Sequence, residues 1–403
     1  MEISHNVRIT GPLASYVNRL WENLLDHGYT PKSSRNILRA IANLSCWGSR
    51  HGISFQHLHP QDLARFFAAR RRAGYTAFIC DQSLDAALMP LESMGAIQWI
   101  EPKVTRLNAF ERLFADYAKY ILIERGVGQK TALGYVKIGR RFLAKFHDVS
   151  RFNLTCLNAD DVISFILKES RKYSIGTTKY AVTALRAFFH FLFRRGDTPH
   201  DLSIAVPAVA GWRMSSLPKS FEHVQVKKLL QACDRRFWRG RRDFAVLLLM
   251  TRLGLRACEV ARLSLDDIDW RCGELVIRGK NRRHDRLPLP PDIGAALACH
   301  LSDRTQGIKE RSIFLRERAP RRGYCTGGIQ RIVDACLKRT GLPPGNSHRL
   351  RHTAATLILR RGGSLDDVAH VLRHKSHDTT AIYAKVDLTA LRSVVRRWLG
   401  GEK

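Results

Sequence analysis

The first two hundred residues of the chain write one amphipathic pattern twice. Residues 16–28 (Y-V-N-R-L-W-E-N-L-L-D-H-G) run parallel to residues 114–126 (F-A-D-Y-A-K-Y-I-L-I-E-R-G), with Tyr16, Leu20 and Leu24 matching Phe114, Ala118 and Leu122. That spacing lines one face of a helix. Ser33 and Thr131 then open a second helical stretch in each half, as N-caps do. Residues 58–67 match 157–166 in their apolar and acidic positions, and residues 84–95 match 185–196. Four matched segments in one order predict a duplication. Two helical bundles are therefore expected, over residues 1–104 and 105–200, joined near residues 101–105.

A connector is expected over residues 201–218, where Pro207 and Pro218 follow Pro199 and no clean period is present. The third domain, residues 219–403, opens with an amphipathic helix over 221–233 and a more buried one over 242–252. Gly254 turns the chain into a further helix running to Leu263. Residues 274–278 and 286–289 read as the strands of a hairpin with a charged tip over 279–285. Helices resume and continue to the end. The fold class is mainly α with a small antiparallel β-sheet in the C-terminal domain.

Charge narrows the partner. Sixty-seven Lys and Arg against thirty-six Asp and Glu give a net +31, and the basic residues are spread along the chain rather than gathered in a tail. A polyanion such as double-stranded DNA is the expected partner. The nine cysteines are odd in number and form no C-x-x-C pair, so neither a zinc site nor a disulfide framework is indicated; buried, reduced thiols are expected. The start has no basic-then-apolar signal pattern, and the apolar run at 244–250 is too short to span a bilayer. A cytoplasmic protein with no membrane partner follows.

Six side chains carry candidate chemistry, and each has a bland reading. Arg256, three residues before Glu259, suits a surface ion pair. Lys280 on a hairpin tip and the His348/Arg351 pair suit solvated positions. His374 suits a structural histidine, and Tyr383 a core aromatic. Taken together, though, they stand in an ordered set of boxes: G254-L-R-A-C-E-V260, Lys280, H348-R-L-R-H352, H374 and, nine positions on, Y383. This set resembles the tyrosine recombinase (phage integrase-like, Xer/Cre-type) family from about residue 105 onward. Two positions depart from the family's usual pattern: Arg373 and Asn281 stand where glycine is common. At Arg373 a solvated charge is expected, with an added phosphate contact as the alternative.

The resemblance implies a site-specific recombinase that cuts and rejoins DNA through a 3′-phosphotyrosine link and a Holliday junction, without cofactor or metal. The extra negative charge on a five-coordinate phosphorus suits two permanently charged, bidentate guanidiniums, Arg256 and Arg351. Glu259 would hold Arg256. Tyr383 would be the nucleophile, assisted by His348 as base or hydrogen-bond partner. His374 would donate to a phosphate oxygen, and Lys280 would protonate the departing 5′-oxygen. Residues 105–200 would be the core-binding, SAM-like domain that clamps DNA with the catalytic one. The apolar face Leu388, Leu391, Val395, Trp398 and Leu399 would dock a C-terminal helix, 386–399, into a neighbouring subunit. Self-association as a dimer on a site and a tetramer in synapsis follows, with sister recombinases or accessory proteins as further partners. Residues 1–104 fall outside the common pattern. A type IB topoisomerase shares much of this residue logic, and a catalytically silent DNA-architectural protein would share the fold.

Overall fold

The structure is a computed structural model that describes residues 6–100, 109–145, 154–210, 219–279, 284–304, 309–374 and 377–386. It forms two compact units, Met1–Ile100 with Ser216–Lys403, and Glu101–Ser215. Among the described residues, no helix is long and apolar enough to cross a membrane.

The first bundle consists of α1 (Val17–Asp26), α2 (Pro31–Arg50), α3 (Pro60–Arg72) and α4 (Asp81–Ser93). Proline at the first turn fits a position whose N–H would go unbonded anyway, and both Pro31 and Pro60 use it. Thr30 caps α2 by accepting from the Ser33 N–H, and Asp62 accepts from the His59 N–H ahead of α3. Leu20, Leu24, Leu38, Ile41, Phe66 and Leu84 close the core. Arg70 opens the basic run Arg70–Arg72, whose other two members are exposed. It is instead buried, lying 4.1 Å from the Tyr75 ring and donating to the Ala77 carbonyl.

The second unit repeats the layout with α5 (Ala109–Lys119), α6 (Gln129–Leu143), α7 (Ala159–Lys172) and α8 (Ile175–Arg195). Asp161 accepts from the Asn158 N–H as Asp62 does from His59, and Ser174 caps α8. A wider π turn, Tyr120–Glu124, extends α5. The core is aromatic: Phe114 stacks on Phe188 at 5.5 Å, and Tyr117 and Phe142 meet Phe188 and Phe189 edge-on, a favoured ring geometry. Part of the expected connector belongs here, because Leu202 and Val206 are buried in this core.

The remaining region holds α9 (His223–Gln231), α10 (Trp238–Arg252), α11 (Ala257–Arg262), strands β1 (Ile268–Asp269), β2 (Glu274–Arg278) and β3 (His284–Pro288), then α12 (Pro291–Leu301), α13 (Thr326–Arg339), α14 (Ser347–Arg360), α15 (Leu365–Leu372) and α16 (His377–Thr380). The sheet is antiparallel in the order β1-β2-β3; the short β1 was not expected. Leu275 and Ile277 on β2 face inward, with Leu275 opposite Leu287. The apolar run 244–250 is explained by α10, which is surrounded by α12, α13 and α14 and buried on nearly all sides. The first bundle rests on this region. The Arg321 N–H donates to the His27 carbonyl at 2.8 Å, and Gly28, at φ +82°, faces Arg321 so closely that a Cβ would lie 2.5 Å from its Cδ. Against expectation, only Cys233 and Cys336 of the nine thiols are buried, and all are free.

Candidate active site

Four local structures bring the chemistry-bearing residues together. Gly254, at φ +60°, makes the turn into α11, and a Cβ there would lie 2.2 Å from Leu372. Only glycine suits that combination of conformation and contact. The turn leaves Arg256 at the N-cap and Glu259 one turn inside. The Glu259 carboxylate then accepts twice from Arg256, from its backbone N–H at 2.8 Å and from Nη1 at 2.7 Å.

Helix α14, capped by Asn346, presents His348, Arg351 and His352. Arg351 is buried. Its Nη1 donates to the Gly254 carbonyl at 2.6 Å and its Nη2 to the Leu372 carbonyl. The guanidinium thus ties the turn before α11 to the end of α15. Helix α15 terminates at Arg373 in the left-handed region, φ +55°, and His374 follows. The His374 Nδ1 and Thr380 Oγ1 share a 2.8 Å hydrogen bond. The turn Ala381–Val386 carries Tyr383, which is 2% exposed. Its hydroxyl lies 2.7 Å from His352 Nδ1, and its ring is nearly parallel to that of His374, 7° apart in plane with centroids at 6.3 Å.

Burial and positive charge set the protonation states. Burial pushes Tyr383 up to about 12, against the downward pull of Arg351 and Arg256, so the phenol is protonated at neutral pH. Burial, with Arg351 and Arg256, pushes His374 down to about 4. His348 and His352 are lowered for the same first reason. All three imidazoles are therefore neutral near pH 7, able to accept a proton at one nitrogen and donate from the other. Burial also lowers Arg351, to about 10, which leaves it cationic. For Glu259, burial would raise the pKa, but Arg373 and Arg256 outweigh it and the carboxyl is held low.

Arg256, Glu259, His348, Arg351, His374 and Tyr383 thus converge on one site. Lys280 lies in the hairpin tip, residues 280–283, outside the described residues, as does the expected C-terminal stripe beyond 386. The last described pair below the tip is Arg278 opposite His284. Two side chains enter that sequence reasoning had not placed in the site. His352 appeared only as the closing letter of a box; its position one helical turn after His348 was the available signal. Arg373, expected as a solvated charge, is instead buried, with Nη2 2.8 Å from Glu259 Oε2. A charge in that low-exposure position is held by its partner carboxylate rather than by water.

A model of the phage integrase family matches residues 219–389, and a model of the phage integrase N-terminal SAM-like domain matches residues 114–196. A Sinorhizobium fredii protein described as "Putative integrase/recombinase y4rA" is 37% identical over 393 residues, covering 97% of this chain and 95% of that protein. Tyrosine recombinase XerD of Listeria innocua is 28% identical over 71% of this chain and 98% of its own length. Among solved structures, the XerH site-specific recombinase bound to palindromic difH substrate, in a post-cleavage complex, has a TM-score of 0.57 at 19% identity, covering 82% of this chain and 93% of that one. The likeness to that structure concerns the fold. The S. fredii relative also matches most of the region ahead of residue 114, where the two family models are silent.

Proposed function

The chain belongs to the phage integrase family of tyrosine recombinases, and from that premise we propose that it cuts and rejoins double-stranded DNA with Tyr383 as nucleophile. The observation that carries this reading is the gathering of Arg256, Arg351, His352 and His374 about Tyr383 from three other elements, with His348 beside the two arginines. Arg256 and Arg351 clamp the non-bridging oxygens of the scissile phosphate, where charge grows in the transition state. Neutral His348 accepts the phenol proton, and His374 donates from its Nε2 to a phosphate oxygen. The Tyr383 oxygen bonds to phosphorus, the bond to the 5′-oxygen breaks, and Lys280 delivers a proton to that oxygen. One phosphate ester replaces another, so rejoining needs neither ATP nor a metal.

The buried phenol adds a step. Tyr383 is 2% exposed, with its hydroxyl bonded to His352 rather than facing solvent. DNA binding then turns the Ala381–Val386 segment outward and breaks the 2.7 Å contact with His352. The unit over Glu101–Ser215 acts as the core-binding domain that closes on DNA with the catalytic region. The first bundle is its duplicate, a reading supported by the paired caps at His59/Asp62 and Asn158/Asp161 and by left-handed glycines at 28 and 126. Subunits assemble on DNA through segment 386–399. A groove of about 1120 Å³ with Val226, Leu230, Phe244, Leu248 and Leu357 in its lining offers that apolar stripe a seat.

The test uses nicked suicide substrates from the ends of the chain's own genomic element. Wild type is expected to form a denaturation-resistant protein–DNA adduct and Tyr383→Phe none. An adduct that persists in Tyr383→Phe overturns the nucleophile assignment. Tight binding with no adduct from either protein favours an architectural role.

A further inference from the structure

Arg373 holds a left-handed backbone, φ +55°, which residues with a Cβ disfavour. It is nonetheless a full arginine with its side chain 7% exposed. Its guanidinium lies between two carboxylates, with Nη2 2.8 Å from Glu259 Oε2 and Nε 4.0 Å from Asp285 Oδ2 on β3. Glu259, 4% exposed, gives its other oxygen to Arg256 Nη1 at 2.7 Å. One buried carboxylate therefore serves two guanidiniums. Beside them is a cavity of about 490 Å³ lined by Asp285, Arg373 and His374 among others, so the group borders the returning strand of the Lys280 hairpin. Strained backbone around a buried charged network is the kind of arrangement that persists where function needs it.

We infer that Arg373 is a positioning residue for the strand-cleavage reaction, acting on Arg256 through Glu259. Oε2 already accepts from the Arg256 backbone N–H, and Arg373 adds a second, charged donor to that oxygen, which stiffens the carboxylate and with it the direction in which Arg256 points. By sharing the carboxylate's charge, it leaves Arg256 less neutralised and so more positive toward an incoming phosphate. Its second partner, Asp285, registers β3 against the same group. Arg373 touches no reacting atom in this scheme. The inference rests on the recombinase reading above.

The test compares full-length Arg373→Gly, Arg373→Lys and Arg373→Gln with wild type on the nicked substrate. It measures the adduct-formation rate at saturating DNA, the DNA concentration giving half that rate, and the thermal midpoint. Arg373→Gly is expected to melt no lower than wild type, because glycine suits the left-handed position. Its half-saturating DNA concentration stays within about threefold, while its rate at saturation falls about tenfold or more. Arg373→Lys recovers part of that rate and Arg373→Gln does not. In a Glu259→Gln background, Arg373→Gly adds less than about threefold, as expected for residues acting as one unit. A wild-type rate at saturation, a loss confined to DNA affinity, or full additivity with Glu259→Gln overturns the inference. Should Arg373→Gly melt early, equal rates for the folded Lys and Gln variants overturn it as well. A wild-type rate in Arg373→Gly alongside an inert Tyr383→Phe defeats this inference alone; no adduct even from wild type defeats the recombinase reading beneath it.

Discussion

The two helical bundles share a plan and differ in surface. Each has four helices in the same order, an acidic residue closing the cap of the third, and left-handed glycines after the first and last. Residues 1–100 hold ten Lys and Arg against seven Asp and Glu, whereas residues 101–200 hold eighteen against nine. The second bundle also exposes large apolar side chains, among them Ile123, Leu133, Leu167, Ile175 and Phe193, where the first exposes Tyr75 and Met89. The first is bonded to the 309–322 segment of the catalytic region, and the second forms a compact unit by itself. One helical pattern thus supports two uses. The core positions keep the fold, and it is the outward positions that differ, the basis of the proposal that the second bundle grips DNA while the first braces its own chain.

The largest effect that would break this contrast is on DNA affinity. Exchanging exposed Lys130, Lys137 and Lys168 of the second bundle for glutamine is expected to weaken binding by about a hundredfold near 0.15 M salt and to flatten the salt dependence by about two to three units of slope. The matching triple exchange of Lys32, Arg50 and Arg72 in the first bundle is expected to stay within about threefold. Fluorescence anisotropy against a salt series measures both. Equal losses in the two sets erase the proposed division of labour.

A smaller effect separates the corresponding glycines. Gly126→Ala meets nothing within 4 Å and carries only the left-handed backbone, at about 1 kcal/mol. Gly28→Ala carries the same conformational cost and also forces the Arg321 side chain away, so about 2 kcal/mol is expected. Denaturant titration gives both numbers. Hydrogen exchange at the Arg321 amide, bonded to the His27 carbonyl, should quicken in Gly28→Ala and not in Gly126→Ala. Equal costs and equal exchange would show the first bundle to be as independent as the second.

These contrasts also mark what a sequence displays. Helices were legible because burying one face imposes a period on neighbours three and four apart, and the bundles' cores follow it except at Leu122, which the π turn leaves exposed while burying Tyr120 and Ile121. The boxes around Arg256, His348 and Tyr383 were legible because each is local. What stayed hidden depends on distant partners. Arg373 looked like a solvated charge because nothing near it in sequence announces Glu259, 114 residues earlier. The bond from Arg321 to His27 spans almost three hundred residues. Strand β1 has two residues, too few for an alternation to register. Arg70 sat in a basic run whose other members do not share its burial against Tyr75. Periodicity reports which face is buried, not what covers it.

The smallest expected effect concerns the ion pair that accompanies the brace. Lys309 Nζ lies 3.1 Å from Asp26 Oδ2, but the two side chains are 88% and 58% exposed. Water and salt screen such a pair, and ordering a long lysine side chain offsets most of its attraction. Asp26→Asn is therefore expected to change stability by less than about 0.5 kcal/mol and to leave exchange at the Arg321 amide untouched. A loss near that of Gly28→Ala would mean that charge, rather than the backbone hydrogen bond and the close approach at Gly28, holds the first bundle in place. In that case the brace should loosen as ionic strength rises, whereas a contact made of a backbone bond and a glycine-sized gap should be indifferent to salt.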